Sequence, residues 1–219
     1  MQYNLKFNRK FSNPNYSPKV PFSSVEYKSE LNISLECNYS EINNVQNLIR
    51  VLRWIVELGR IDIAYKVSSL SNFLARPKNG HIYQALHIFK YFEAHIDNKI
   101  SFDPLYQEIR NDTNPQSLIR KIREIYADAS EDLPTNAQAL QGKSIHLNCF
   151  VDANHGGNRV TRWSQIGIIL FKISAPLLWY SKRQNTVESS TFGLEFVALR
   201  IAPELITSFR YKLRMFGIP

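Results

Sequence analysis

The sequence is poor in cysteine and glycine, with 2 and 8 of them in 219 residues. Cys37 and Cys149 follow no CxxC pattern, so neither a disulfide framework nor a zinc knuckle is supported, and a reducing compartment fits. The few glycines argue against a repeat architecture. No apolar run reaches the roughly 18 residues of a membrane span, and the N-terminus lacks the apolar core of a secretory signal. These absences predict an intracellular protein, cytoplasmic or nuclear, with no membrane partner.

What the sequence does contain is apolar residues and positive charge. The apolar content of 44% and aromatic content of 12% suffice for a packed core. The formal charge is +8 and the isoelectric point is near 9.5. Such an excess favours polyanionic partners, because phosphates attract Lys and Arg through counterion release. The alternative is a soluble basic protein whose charge serves no partner.

The first 132 residues divide into a lead-in and a helical segment. Prolines in residues 1–40 predict an extended or disordered lead-in. Apolar periodicity then predicts helices, so residues 41–132 form a helical segment. The first helix has Ser40 as its N-cap and Gly59 as its stop. The predicted helices span about 41–58, 62–75 and 80–95, and a shorter one lies around 118–125. Three histidines, His81, His87 and His95, are too unevenly spaced for a metal pair and are predicted to be boundary or surface residues.

The pattern changes after residues 133–142, which have no periodicity and are predicted to be a linker. Residues 143–219 begin with strict alternation, in which Cys149 and Val151 face one way and Phe150 and Asp152 the other. Two further strands, Ile166–Ile173 and Leu177–Ser181, flank a hairpin turn. A final helix starts near Ser190, and Pro203 is expected to kink or split it. The predicted fold class is therefore α/β of the α+β type, with a three-stranded antiparallel sheet and a long C-terminal helix.

Two blocks of this sequence resemble the C-terminal region of a copia-type retrotransposon polyprotein. The first block is NLIRVLRWIVELGRIDIAYKVSSLSNFLARPKNGHIYQALHIFKYF, residues 47–92. It resembles the end of the reverse transcriptase, a thumb or connection-like segment. The second block is FVDANHGGNRVTRWSQIGIILFKISAPLLWYSKRQNTVESSTFGLEFVAL, residues 150–199. It resembles the front half of a ribonuclease H domain, and the resemblance as a whole covers roughly residues 22–219.

The chain also departs from the family pattern. Arg50, Asn154 and Trp163 replace a glycine, an aspartate and an arginine of the family motifs, and Pro203 sits in a helix that usually lacks it. The chain stops at Pro219, before the strand that would deliver a later aspartate. The expectation is therefore a truncated ribonuclease H-like domain, as a fragment or decayed copy without independent enzymatic activity.

The resemblance assigns two vestigial catalytic and metal-binding acids. Asp152 matches the first metal-bridging aspartate and Glu195 the helix glutamate, and the ancestral cofactor is Mg²⁺, weak or absent here. Ribonuclease H hydrolyses RNA in RNA–DNA hybrids with two metal ions about 4 Å apart, a clamp that two acids cannot complete. The alternative is that Asp152 ends a strand and Glu195 lies on a solvated helix face. Glu188 is expected to be a surface or capping acid.

Five residues are candidates for nucleic-acid contact. Lys182, Arg183 and Gln184 follow the third strand, and Arg159 and Arg162 lie in the loop after the first. They could contact backbone phosphates of an RNA–DNA hybrid, where shape and 2′-hydroxyls are recognised, or form an ordinary solvated hairpin end. Trp163 is predicted to be a partly buried aromatic at a strand start.

Three functions remain open. In an intact parent polyprotein the region would degrade the RNA of hybrids during reverse transcription. One alternative is a non-catalytic nucleic-acid-binding module. The other is a protein-interaction scaffold, in which a partner covers the open edge of the sheet.

Overall fold

The computed structural model describes residues 17–21, 28–100, 135–141, 145, 147–172 and 175–218. The chain divides into two compact units. The described residues of the first fall within Met1–Ile100, Val151–Ile168 and Trp179–Leu199, and those of the second within Ser101–Phe150, Ile169–Leu178 and Arg200–Pro219. The predicted domain boundaries, 1–40, 41–132, 133–142 and 143–219, stay predictions.

The described elements form an α+β fold, as the sequence predicts. A 3-10 turn, Ser29–Leu31, precedes helix α1, Tyr39–Glu57. A second 3-10 turn, Ile61–Ile63, leads into α2, Ala64–Ser71, and α3 spans Asn79–Ala94. Strands β1 (Leu147–Asn154), β2 (Gln165–Lys172) and β3 (Ala175–Arg183) form an antiparallel sheet in the order β1-β2-β3. Helix α4, Thr191–Met215, ends the series. The fourth predicted helix lies outside the described residues.

The N-cap of helix α1 lies two residues earlier than the sequence predicts. Asn38, not Ser40, is the N-cap: its side chain accepts from the Glu41 backbone N–H, and the Glu41 carboxylate accepts from the Asn38 N–H at 2.8 Å. This reciprocal pair satisfies two backbone donors that the helix leaves open. The predicted stop is confirmed, because Gly59 follows the helix with a φ of +112°, a conformation that side-chain-bearing residues rarely adopt.

The core of the first unit lies among the three N-terminal helices. Val45, Ile49 and Leu52 of α1 pack with apolar residues of α2 and α3, including Ile88. Trp179 of β3 packs against the same cluster, and its indole Nε1–H donates to the Val56 carbonyl at 3.0 Å. The donation satisfies the one polar atom of a large, partly buried ring. Trp179, the middle residue of β3, is therefore tied to the end of α1.

The alternation predicted for β1 is present. Phe150 and Asp152 are exposed, whereas Val151 is half-buried and Ala153 is buried. In α4 the buried residues are Leu194, Ala198 and Ala202, which recur every fourth position and so share one face. The helix runs continuously through Pro203, so the expected split does not occur. None of the helices in the described part of the chain is long and apolar enough to cross a membrane.

Two of the three histidines are not where the sequence predicts them. His81 and His87 are buried, and only His95 is half-buried at a boundary. The His81 Nδ1 accepts from the Lys78 backbone N–H at 3.0 Å, and its Nε2 bonds the Ser29 carbonyl at 2.9 Å. Burial lowers the pKa of His81, and the charges of Lys66 and Lys78 lower it further. The hydrogen bond to the Ser29 carbonyl raises this pKa, but by less than burial lowers it. The neutral ring thus joins the start of α3 to the 3-10 turn.

Candidate nucleic-acid interface

The two predicted metal-binding acids are both exposed. Asp152 lies in the second half of β1, on the face opposite Ala153, and Glu195 is the fifth residue of α4. Within the ranges that the structure describes, no group of three His, Cys, Asp or Glu side chains could hold a metal ion. Asp152 and Glu195 are thus solvent-accessible carboxylates, without a third acidic, thiol or imidazole ligand among these residues.

Glu188 lies beside the first turn of α4. A Cβ added to Gly193 would come within 3.0 Å of the Glu188 Oε2, so the carboxylate sits against the helix start. Ser190 caps the same turn, because its Oγ accepts from the Gly193 N–H at 3.1 Å. A carboxylate is favourable near the positive end of a helix dipole. This position fits the capping role that the sequence suggests for Glu188.

The loop between β1 and β2 is organised by Asn158. Its Oδ1 accepts from the backbone N–H groups of Val160 and Thr161, at 3.0 and 2.8 Å, and its carbonyl accepts from the Arg162 N–H at 2.8 Å. Arg162 has a φ of 61°, a left-handed conformation uncommon outside glycine. The Arg159 N–H donates to the Glu30 Oε1 at 3.1 Å. The main chain of this loop is therefore held, while the Arg159 and Arg162 residues are exposed.

The three residues predicted to contact phosphate after β3 divide into two groups. Lys182 and Arg183 are exposed, and the Arg183 guanidinium lies 4.2 Å from the centroid of the half-buried Trp163 ring. Gln184 is buried: its Nε2–H donates to the Leu194 carbonyl of α4 at 3.0 Å. Its side chain joins the end of β3 to α4 and is not exposed to solvent. Lys182 and Arg183 carry the exposed charge of this segment.

Asn154, which replaces a family aspartate, links three elements. Its Oδ1 accepts from the Gln165 backbone N–H at 2.7 Å, and its Nδ2–H donates to the Tyr65 hydroxyl at 3.1 Å. The first bond joins the end of β1 to the start of β2, and the second reaches α2. Because both ends of the carboxamide are used, Asn154 has a structural role at the position where the family pattern has an acid.

Lys66, a buried lysine of α2, is not among the candidate residues predicted from the sequence. Ile63, Lys66, Val67 and Leu70 recur at the i, i+3, i+4 and i+7 spacing of one helix face, and all four are buried. A lysine within such an apolar stripe is the sequence feature that could have indicated a buried charge. Lys66 lines a cavity of about 440 Å³ together with Trp163 and Arg183.

Comparisons with known proteins give one distant relative. No protein-family model and no solved structure matches the chain. A Saccharomyces cerevisiae (strain ATCC 204508 / S288c) protein described as "Putative transposon Ty5-1 protein YCL074W" is 25% identical over 147 residues. The match covers 67% of this chain and 36% of the yeast protein, so the chain spans little more than a third of that relative. This similarity indicates that the chain is a retrotransposon-related protein.

Proposed function

We propose that the chain derives from the C-terminal part of a copia-type retrotransposon polyprotein and binds RNA–DNA hybrids without cleaving them. The similarity to the yeast transposon protein supports the origin. The order of β1, the β2–β3 pair and α4, with acids at Asp152 and Glu195, is the order expected of a ribonuclease H-like domain. The reverse transcriptase and ribonuclease H assignments rest on the two sequence blocks quoted above.

The observation that carries the binding proposal is the exposure of cations that follow β1 and end β3. Arg159 and Arg162 lie in the loop that follows it, and Lys182 and Arg183 lie at the end of β3. All four are exposed in a chain with a net charge of +8. Exposed guanidinium and ammonium groups bind backbone phosphates, and a hybrid offers phosphates and 2′-hydroxyls whatever its base sequence. This exposure supports contact with the sugar–phosphate backbone of a duplex.

The metal chemistry explains why binding is proposed without cleavage. Mg²⁺ takes carboxylate and water oxygens in octahedral geometry, and Asp152 and Glu195 offer carboxylates of that kind. Hydrolysis needs a second ion to stabilise the leaving oxygen. The nearest family position that could add an acid carries Asn154, whose carboxamide is engaged at both ends. Glu188 is held against Gly193 at the start of α4.

Hybrid binding is expected to depend on Arg159 and Lys182. In the variant R159Q/K182Q, the slope of log affinity against log salt should become shallower by about two, roughly one per lost phosphate contact. Fluorescence anisotropy with a labelled hybrid carrying 5′-hydroxyl ends measures it. The matched control is R50Q/K99Q, which changes the net charge equally at exposed residues outside this surface. D152N should still bind. Equal slopes for the two double variants would refute the proposed surface.

Cleavage of the same hybrid is expected to stay at the level of a protein-free reaction in Mg²⁺. A time course on a denaturing gel measures it, with purified full-length chain in excess over substrate. The decisive control is E195Q, because contaminating nuclease would survive that substitution. Metal-dependent cleavage that disappears in E195Q would show that these acids still hold a working site.

A second candidate function is a protein-interaction scaffold. Phe192 and Phe196 of α4 are exposed, with their rings stacked 6.3 Å apart, and β1 and β3 each have one neighbour among the described strands. Exposed aromatic faces and open strand edges are surfaces that partner proteins cover. A scaffold predicts protein affinity with little salt dependence and no hybrid binding, so the anisotropy titration separates the two candidates.

A further inference from the structure

The first unit contains a cavity of about 440 Å³, a volume typical of small-molecule sites. Its wall includes Lys66 and Tyr65 of α2, Trp163 and Ser164 before β2, and Arg183 at the end of β3. None of the functions considered above requires this cavity. Arg183 belongs both to this wall and to the exposed cations of the proposed hybrid-binding surface, whereas Lys66 belongs to the wall alone.

The Lys66 ammonium is the unusual group in this wall. The residue is 6% exposed, and its Nζ donates to the Ser29 Oγ at 3.1 Å. The Ser29 hydroxyl proton is directed in turn to the Gln84 carboxamide oxygen. An ammonium has three donors, and this is its one hydrogen bond in the described chain. Among these residues no carboxylate lies within ion-pair distance of it.

A buried ammonium without a carboxylate partner is costly, because desolvation is not offset by a nearby anion. Burial lowers the pKa of Lys66 to about 8, against a smaller opposing effect of Glu30. The group therefore keeps its proton at neutral pH. A ligand that brought negative charge into the cavity would supply the missing partner.

The other charges of the wall indicate which anion fits. Three cations, Lys28, Lys66 and Arg183, stand against one carboxylate, Glu30. One lone pair of that carboxylate is used by the Arg159 N–H. The excess of two positive charges matches a phosphate monoester, which carries about −1.5 to −2 at neutral pH and three strong acceptor oxygens.

We propose that this cavity binds a phosphate monoester, with the Lys66 ammonium donating to the phosphate oxygens. The monoester is either a free nucleotide or the phosphorylated end of a nucleic-acid strand, since both present the same group. The volume exceeds what a bare phosphate needs and leaves room beside Trp163 for the group that carries it.

The test is calorimetric titration of the full chain with AMP, and with adenosine as the ligand lacking phosphate. If the monoester is a free nucleotide, AMP should bind and adenosine should not. In K66Q the affinity for AMP should fall at least tenfold, because a neutral amide cannot replace a charge-assisted contact in a buried site. The matched control, K99Q, removes an exposed lysine and should bind AMP like the unaltered protein.

Two further measurements make the result decisive. The thermal midpoint of K66Q should not fall, because the substitution removes a desolvated charge, so lost binding cannot be attributed to unfolding.

Oligonucleotides with 5′-phosphate and 5′-hydroxyl ends identify the source of the monoester. If the chain prefers the phosphorylated strand and does not bind AMP, the ligand is the phosphorylated end of a strand. Equal binding of both strands together with no AMP binding overturns the proposal, as does equal AMP affinity of K66Q and K99Q. The hybrid used in the anisotropy experiment has 5′-hydroxyl ends and therefore carries no terminal phosphate monoester. The result of that experiment is thus independent of whether this cavity binds a monoester.

Discussion

Replacing Leu52 with alanine should lower the free energy of unfolding by about 4 kcal/mol, within the range for buried leucines. Leu52 of α1 is 0% exposed and lies in the cluster that includes Ile49, Ile63 and Ile88. The truncation loses the transfer energy of the removed carbons and leaves a cavity, because three helices restrain the surrounding side chains. Urea denaturation followed by far-ultraviolet circular dichroism measures the change.

The control for this prediction is Leu58→Ala, just past the end of α1. Leu58 is 65% exposed, so the same atoms are removed with little loss of buried contact. Its effect should stay within about 0.5 kcal/mol, as is usual for surface positions. If the two variants were equally destabilised, the helices would not share the packed core described above.

The features predicted well from the sequence are those set by short-range patterns. The helix periodicity around Leu52, the stop at Gly59 and the alternation from Cys149 to Asp152 each depend on neighbours a few residues away. Such patterns state which side of an element is apolar and where it ends. They predicted α1, α2, α3, the strands and the α+β class.

The features that were missed depend on partners far away in the sequence. Lys66 and His81 are polar residues at buried positions because Ser29, within the predicted lead-in, supplies the acceptors for both. Gln184 is buried because its amide reaches Leu194 on α4. Local patterns carry no information about such partners, and the usual expectation for a histidine or a glutamine is the surface.

The candidate site was predictable in its residue types and less so in its environment. The family resemblance named Asp152 and Glu195, and the positions of the cations after two strands made them candidates for nucleic-acid contact; these assignments stay predictions. Whether Asn154 is available to a metal or held by a neighbour could not be inferred from its identity. That depends on Tyr65, 89 residues earlier in the chain.

Replacing Arg60 with alanine is the second substitution with a large expected effect, a loss of about 3 kcal/mol in the free energy of unfolding. The Arg60 side chain is 8% exposed, and it donates to both Asp62 oxygens, at 3.0 and 2.9 Å, and to the His95 carbonyl at 3.1 Å. Its guanidinium also lies 4.7 Å from the centroid of the Phe92 ring. Alanine would leave the carbonyl without this donor and the ring without its cation.

The matched control is Arg76→Ala, because Arg76 also contacts both oxygens of one carboxylate: its Nη2 lies 3.1 and 3.2 Å from the two Glu36 oxygens. The two side chains are 80% and 58% exposed, and exposed ion pairs contribute little. The expected loss is about 0.5 kcal/mol or less. Equal losses in the two variants would mean that burial of the Arg60 contact adds nothing to stability.

The loss of stability caused by Arg60→Ala should also depend on pH. Burial alone would raise the pKa of Asp62, but hydrogen bonds from Arg60 and Tyr91 outweigh it, and the pKa is lowered. A lowered carboxyl pKa contributes stability that is present above the pKa of the unfolded chain and is lost as the pH falls through the folded value. The difference in the free energy of unfolding between the unaltered protein and R60A should therefore become smaller below about pH 4. Urea midpoints measured from pH 7 to pH 3 test this, and a difference that widened with acid would contradict the assigned charge on Asp62.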